Sequence, residues 1–352
     1  MVKGKEDNVH LDRLEPAYLL KESYPEDDDR GQQPGIQQDL QPSKSRTQKV
    51  HFEEPQRTCS VIKEDFLNLS IHCNHGRLGN QMESLAALLG LAQLNQRLPL
   101  AQDCNLRHLE PYFTIDVPRI PDLKPPPLFK YHHQIGTFLT DSDKNISEKK
   151  FYISGNPFPL SFSFYHHIRS TIRSQFTFKK HIVEYAKNFI EAIRKEVEVA
   201  STIIGIHVRG TDYGNYLKSK SRKARIVDMK YFDKAMNHFR TRYASTSRLY
   251  FVLVCDDMDF CREMFKDRKV GYAPSAPHGS YHMALLTMCD HIILSYGSFG
   301  YWAAYLSYGE TVYFKDYLPP DSVVTHNQLL DYYKYLPEWI GISTTPMGYW
   351  DD

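Results

Sequence analysis

Two periodicities alternate along this chain. In LNLSIHC (67–73) apolar and polar residues take turns, which predicts a strand. Leu85, Leu88, Leu89 and Ala92 then return at helical spacing and form one stripe. Ile182, Ala186, Phe189, Ile190 and Ile193 mark a second amphipathic helix. Beyond residue 200 the alternation becomes regular. TIIGIHV (202–208), LYFVLV (249–254), HIIL (291–294) and TVYF (311–314) read as buried strands, the last of these closing the series. Between them lie a helical stripe of Phe232, Ala235, Met236 and Phe239 with Asp228 as its N-cap, a short helix over 260–265, and a helix carrying Phe299, Trp302, Ala303 and Leu306. Strands alternating with helices predict an α/β protein whose parallel sheets are covered on both faces.

The ends and one internal stretch depart from this scheme. Residues 1–60 have no apolar period. They run from an acidic cluster (Glu26, Asp27, Asp28, Asp29) through Gly, Gln, Pro and Ser to Lys44, Arg46 and Lys49, the composition of a flexible stem or tail. Residues 99–160, which include Pro125, Pro126 and Pro127, predict no definite element. The expected organisation is therefore a flexible stem over 1–60, an α/β unit over 61–195, a second over 196–342 and a tail over 343–352, with one larger sheet as the alternative architecture.

Charge and composition narrow the classes of function. Among 352 residues, 43 Lys and Arg face 42 Asp and Glu, so no general basic field exists to hold nucleic acid. There is no apolar run of about 18 residues, the length a membrane span needs, and no apolar signal-peptide core. The six cysteines contain no C-x-x-C pair, which argues against a zinc cluster; their even number permits disulfides. Asn68-Leu69-Ser70 and Asn145-Ile146-Ser147 are acceptor triplets for N-glycosylation.

In open α/β sheets ligands bind beyond the carboxyl ends of the strands, and the unusual segments of this chain lie there. Gly76, Arg77, Gly79 and Asn80 follow the first strand. Two glycines three apart allow close approach of backbone to a ligand, and the N–H groups of the next helix suit an anion. His207 and Arg209 share one strand face, and Asp212 follows in the loop. Arg209 can bind phosphate through two parallel hydrogen bonds, with Asp212 orienting it or accepting a proton; a buried Arg–Asp pair with a satisfied core histidine is the alternative. Asp256 and Asp257 can hold a base or ribose, or cap the helix after them. Ser298, in the glycine-bracketed SYGSFG (295–300), can hold phosphate and can also cap its helix. The adjacent pairs His132–His133 and His166–His167 point apart in any regular element, so no metal site is expected, and no G-x-S-x-G nucleophile motif occurs. Arg209 and two glycine-bracketed turns meeting at one sheet edge describe a diphosphate site, suited to a nucleotide sugar.

GRLGNQM (76–82), HVRGTDY (207–213), ALLTMC (284–289) and YGSFGYWAAYL (296–306) occur in this order, together with FYHHIR (164–169), LPPDS (318–322) and LPEWIG (336–341). In combination, from about residue 70 to 342, they resemble the galactoside α-1,2-fucosyltransferases of glycosyltransferase family 11. The resemblance implies a GT-B-like fold, two Rossmann-type halves with a cleft between them: an acceptor-side half over 61–195 and a donor-binding half over 196–342. It implies GDP-fucose as donor, inverting transfer of fucose to the 2-hydroxyl of a β-galactose, no metal or other cofactor, and a single-pass type II protein of the Golgi with its catalytic part in the lumen. It places Arg209 on the β-phosphate, with His207 and Asp212 as the other members of its H-x-R-x-x-D motif, and Ser298 and Phe299 near phosphate and fucose. Gly79 and Asn80 match the first glycine-rich motif.

Three departures accompany the match. The second Arg of the family's Arg-Arg-Gly-Asp is absent from Arg209-Gly210-Thr211-Asp212, His282 stands where an Asp is common, and no segment supplies the family's membrane anchor. Asp212 is the expected general base, with a β-phosphate oxygen as the other proton acceptor. A protein O-fucosyltransferase, or a catalytically weak pseudoenzyme that binds GDP-fucose or glycan, are the alternative readings.

Overall fold

In the computed structural model the described residues contain eleven strands, which gather into two separate parallel sheets, so the one-sheet alternative is excluded. The structure describes residues 68–71, 76–122, 132–134, 139–146, 150–154, 161–196, 201–210, 213–220, 223–243, 248–316 and 336–346. The expected stem over 1–60, Asp212 and the LPPDS segment lie outside them. Residues 63–352 form one compact unit.

The first sheet comprises β1 (Asn68–Ile71), β2 (Leu98–Gln102), β3 (Arg119–Ile120), β4 (His132–Gln134) and β5 (Lys150–Ser154) in the order β3-β2-β1-β5-β4. Helices α1 (Leu78–Leu94), α2 (Asp103–Leu106), α3 (Asp141–Lys144), α4 (Arg169–Gln175) and α5 (Lys180–Glu196) belong to the same stretch of chain. Four of these five strands come from or border the segment whose pattern predicted nothing. They are two to five residues long, too short to display a period.

The second sheet comprises β6 (Ser201–Val208), β7 (Arg248–Cys255), β8 (Gly271–Tyr272), β9 (His291–Leu294), β10 (Thr311–Phe314) and β11 (Ile340–Ile342), ordered β11-β10-β9-β6-β7-β8. Starting from β6, this is the Rossmann order, three strands to one side and three to the other, and its reversal falls between β6 and β9. The register sets His207 beside Leu294 and Val208 beside Cys255. The connecting helices are α6 (Tyr213–Lys220), α7 (Met229–Tyr243), α8 (Met258–Met264), α9 (Gly279–Thr287) and α10 (Ser298–Leu306). TVYF is not the final strand; β11, which begins at the end of LPEWIG, pairs with it.

The amphipathic assignments differ instructively. Helix α5 buries Ile182, Ala186, Phe189, Ile190 and Ile193, the stripe its sequence predicts. Helix α7 does the same with Phe232, Ala235, Met236 and Phe239, and Asp228 caps it by accepting from the Tyr231 N–H at 3.1 Å. Helix α1 is buried on nearly every side, including Gln81, Glu83 and Ser84, because it lies against β1 and β2 and also against α10.

The contact between α1 and α10 joins the two sheets through a buried polar cluster. Glu83 Oε2 accepts from Trp302 Nε1 at 2.8 Å, and Glu83 Oε1 lies 2.7 Å from the Tyr165 hydroxyl, itself 3.0 Å from that of Tyr301. One hydroxyl has one proton and cannot donate to both neighbours. Tyr165 donating to Glu83 while accepting from Tyr301 uses one proton per contact, and so does the reverse order in which a protonated Glu83 donates to Tyr165 and Tyr165 to Tyr301. Burial pushes the Glu83 carboxyl up to about 8, against the lowering effect of the Tyr165 and Trp302 hydrogen bonds.

A raised carboxyl costs stability as pH rises. Between about 4.5 and about 8 the unfolded chain has released the Glu83 proton while the folded chain retains it, so stability falls across this window, by on the order of a few kcal/mol in total. Urea midpoints measured from pH 5 to pH 8 should therefore decline more steeply for the wild type than for Glu83→Gln. Parallel curves would show that Glu83 is ionised in the folded protein.

Candidate active site

A cavity of about 590 Å³ lies where the carboxyl ends of β6 and β7 face the N-terminus of α1. Its wall contains Gly76, Arg77, Leu78 and Gly79 from the approach to α1; His207 and Arg209 from β6; Cys255 and Asp256 from β7; and Ser298 and Phe299 from the start of α10. Arg107, His108 and Tyr112, beyond β2, and His278, Gly279 and His282, at the start of α9, complete it with Val254. The N-termini of three helices, α1, α9 and α10, thus open on one space. Each brings the positive end of a helix dipole.

Two of these N-termini touch. A Cβ added to Gly79 would lie 2.7 Å from Ser298 Oγ, 2.9 Å from the Ser298 carbonyl carbon and 3.0 Å from the Phe299 nitrogen. Only a glycine admits this approach of backbone to backbone. The Ser298 hydroxyl donates to Asn80 Oδ1 at 2.9 Å across the same contact. The N-cap of α10 is Gly297, at φ +95°, a conformation suited to glycine, and no side chain caps the helix. The capping role expected as one option for Ser298 is therefore corrected: its hydroxyl ties α10 to α1. Asn80 does not line the cavity; its carbonyl is turned to Ser298, so it acts in the joint beside the site.

Arg209 is held from both flanks. Its N–H donates to Ser295 Oγ at 3.1 Å, and the next N–H, of Gly210, donates to Asp256 Oδ1 at 2.7 Å. The other Asp256 oxygen lies 3.9 Å from Arg209 Nε, and the Arg209 side chain is only 18% exposed. Its guanidinium sits 5.6 Å from the centre of the Tyr213 ring, which stacks on Tyr296 at 4.6 Å. The orienting carboxylate seen here is Asp256; Asp212 lies outside the described residues. Asp257, by contrast, caps α8 by accepting from the Phe260 N–H at 3.0 Å.

His207 is 4% exposed, and its ring faces Phe299 at 5.4 Å. Its Nδ1 is buried without a hydrogen-bond partner, so it is not the satisfied core histidine weighed from sequence. Burial pulls its pKa down to about 4 against the pull of Asp256, and the ring is neutral at physiological pH. Arg77, Arg107, Arg209 and the helix ends, not His207, make the site electropositive.

Arg107, His108, Tyr112, His278 and His282 also line the cavity without having been expected there. His278 stacks on Tyr112 with centroids 4.0 Å apart and planes at 3°, and its Nδ1 accepts from the Ser280 N–H at 3.1 Å as the cap of α9. His282, noted as a departure, lines the cavity with Nε2 2.8 Å from the Pro274 carbonyl oxygen. Arg107 pairs with Asp122 at 2.6 Å. The sequence signal for the His278 region is a glycine opening a helix, the same signal as at Gly79; Arg107 and His108 follow a strand too short to recognise.

The rim below Arg209 is covalently fixed. A disulfide joins Cys255, the last residue of β7, to Cys261 in α8, closing a loop around Asp256 and Asp257. Among the described residues no cluster of three or more His, Cys, Asp or Glu is placed to hold a metal ion. Among them also, no helix is long and apolar enough to cross a membrane. Of the glycosylation triplets, Asn145 is exposed, with Nδ2 donating to the Asp141 carbonyl at 3.0 Å; Asn68 begins β1, paired on both sides.

A cleft at the carboxyl edges of parallel sheets, walled by Arg209 and helix N-termini, is where α/β proteins bind their ligands, and the family match makes this one a glycosyltransferase. The sequence profile of glycosyl transferase family 11 matches residues 44–343, and the chain belongs to this family. A mouse relative, galactoside 2-alpha-L-fucosyltransferase Sec1, is 35% identical over 274 residues, covering 76% of this chain and 72% of its own. The bovine galactoside alpha-(1,2)-fucosyltransferase 2 is 34% identical over 275 residues, covering 76% and 77%. Among solved structures, NodZ alpha-1,6-fucosyltransferase soaked with GDP-fucose is similar with a TM-score of 0.44 at 15% identity, over 70% of this chain and 95% of that one. POFUT1 in complex with GDP-fucose gives 0.46 at 11% identity, over 72% and 98%.

The bridge and the Asp256 contact make one prediction together. In a Cys255→Ser/Cys261→Ser double variant the Asp256 loop should loosen, and the Gly210 amide should exchange with solvent deuterium at least about tenfold faster than in the wild type. Unchanged protection at that amide would mean that the bridge does not hold the Arg209 segment.

Proposed function

We propose that the chain is a galactoside 2-α-L-fucosyltransferase that transfers L-fucose from GDP-fucose to the 2-hydroxyl of a β-galactose, with inversion at C1. The observation that carries this reading is the convergence of Arg209 and three helix N-termini on one cavity. As the bond between fucose C1 and the β-phosphate oxygen breaks, negative charge grows on GDP. Preorganised N–H donors and a fixed guanidinium stabilise that charge more than they stabilise the bound donor, which is what lowers a barrier. The reading assigns this work to Arg209, Gly79 and the first turns of α1 and α10, and needs no metal ion for it.

In this reading residues 61–195 carry the acceptor side and 196–342 the donor side. Gly76, Arg77, Gly79, Ser298 and Phe299 border the diphosphate and fucose, Asp256 orients Arg209, and His207 supports Phe299. The relatives' names, which specify galactosides and α-1,2 linkage, support the acceptor class. The Cys255–Cys261 disulfide suits an oxidising compartment. Together with the exposed Asn145 triplet, it supports a place in the Golgi lumen, with type II membrane anchorage carried over from the family resemblance and glycosylation at Asn145 and Asn68 from their acceptor triplets.

Arg209→Ala should lower fucose transfer by roughly 10²–10³-fold, the scale of losing one charge-stabilising donor group, and Arg209→Lys should recover only part of it because the paired N–H geometry is lost. Incorporation of radiolabelled fucose from GDP-fucose into a β-galactoside measures this, and methylation analysis of the product should find fucose on O2. More than a tenth of wild-type transfer in Arg209→Ala would remove Arg209 from its assigned role.

A further inference from the structure

Inverting transfer needs a proton acceptor on the side of the cavity opposite the departing diphosphate. The described side chains that line the cavity and can accept a proton are His108, His207, His278, His282 and Asp256. Four are occupied. His207 is buried against α10 and neutral down to about pH 4. His278 caps α9 through Nδ1 and stacks on Tyr112. His282 engages the Pro274 carbonyl. Asp256 serves the Gly210 N–H and Arg209, on the leaving-group side.

His108 differs from all four. Its side chain is exposed to the cavity and takes part in none of the hydrogen bonds, ion pairs or ring contacts of the described residues. Its backbone is nonetheless fixed. The His108 N–H donates to the Asn105 carbonyl at 3.2 Å, and the buried Leu106 and Leu109 anchor the turn on both sides. Asp122 accepts from the Cys104 N–H at 2.6 Å and pairs with Arg107, bracing the same turn. A firmly placed backbone carrying an unengaged imidazole suits a group whose partner is a substrate. His108 also follows β2, in the first sheet, whereas Arg209 follows β6 in the second. The two therefore approach a shared ligand from opposite sheets.

We propose that His108 is the general base of the transfer, an inference that rests on the fucosyltransferase reading above. An unprotonated imidazole nitrogen takes the proton of the acceptor 2-hydroxyl while that oxygen forms its bond to fucose C1. The bond from C1 to the β-phosphate oxygen breaks, and its electron pair leaves with GDP beside Arg209. The imidazolium then returns its proton to solvent. Asp212, three residues after Arg209 in the sequence, is the competing base.

The test compares wild type, His108→Ala, His108→Gln and Asp212→Asn at saturating GDP-fucose and β-galactoside, with GDP affinity measured for each by calorimetry. His108→Ala and His108→Gln should lose roughly 10²–10³-fold in kcat, with GDP affinity within about threefold of wild type. The decline of wild-type kcat on acidification should be absent from the residual activity of His108→Ala, and added imidazole should restore part of that activity. A kcat for His108→Ala within tenfold of wild type, or a base-type loss in Asp212→Asn with His108→Ala unimpaired, overturns the assignment. A wild-type protein that binds GDP but transfers no fucose to any β-galactoside overturns the fucosyltransferase reading itself, and the role of His108 with it.

Discussion

The approach of α1 to α10 is the contact on which this structure depends. Helix N-termini repel one another electrostatically, since each presents the positive end of a dipole. Here Gly79 lets the backbone of α1 come against Ser298 and Phe299, and Ser298 and Asn80 close the contact with a hydrogen bond. One turn further along the same two helices, Glu83 accepts from Trp302 and joins the hydroxyls of Tyr165 and Tyr301. The buried cluster holds the helices together where they are neutral to each other, and the free ends are thereby held together where they are not. A bound anion relieves that tension.

In the proposed reading, this arrangement is what lets a chain of net charge +1 favour a diphosphate. The positive potential is local, built from backbone dipoles and the guanidinium groups of Arg77, Arg107 and Arg209. Its geometry is over-determined: Ser295 and Asp256 fix the backbone on either side of Arg209, Tyr213 lies beside its guanidinium, and the Cys255–Cys261 bridge closes the loop that carries Asp256. Preorganisation of this kind matters more for catalysis than the number of charges, because the donors need not reorient as charge develops. The histidines around the cavity mostly serve structure, as a helix cap, a stacking partner and a packing surface.

Much of the second sheet was legible because its strands are continuous apolar runs and its helices carry clean stripes, as in α5 and α7. The three motifs at Gly79, Arg209 and Ser298 were legible because glycine beside a strand end signals close backbone approach. Other features were hidden for physical reasons. Strands β3 and β8 have two residues each and show no period. Helix α1 is buried all round, so its stripe understated its packing. The pairing of Asp256 with the Arg209 segment spans 46 residues, and that of Ser298 with Asn80 spans 218; neither leaves a local trace. His108 and His278 reach the cavity from two sheets, and only the fold brings them together.

The central claim is that the cavity binds a diphosphate through Arg209 and the converging helix ends. Calorimetric titration of the protein with GDP and, separately, with GMP tests it most directly, since the two ligands share the base and sugar and differ by the β-phosphate. The account predicts saturable one-to-one binding of GDP, with GMP weaker by at least about tenfold, a difference of about 1.4 kcal/mol or more. Equal affinity for the two nucleotides, or no binding of GDP, would contradict it.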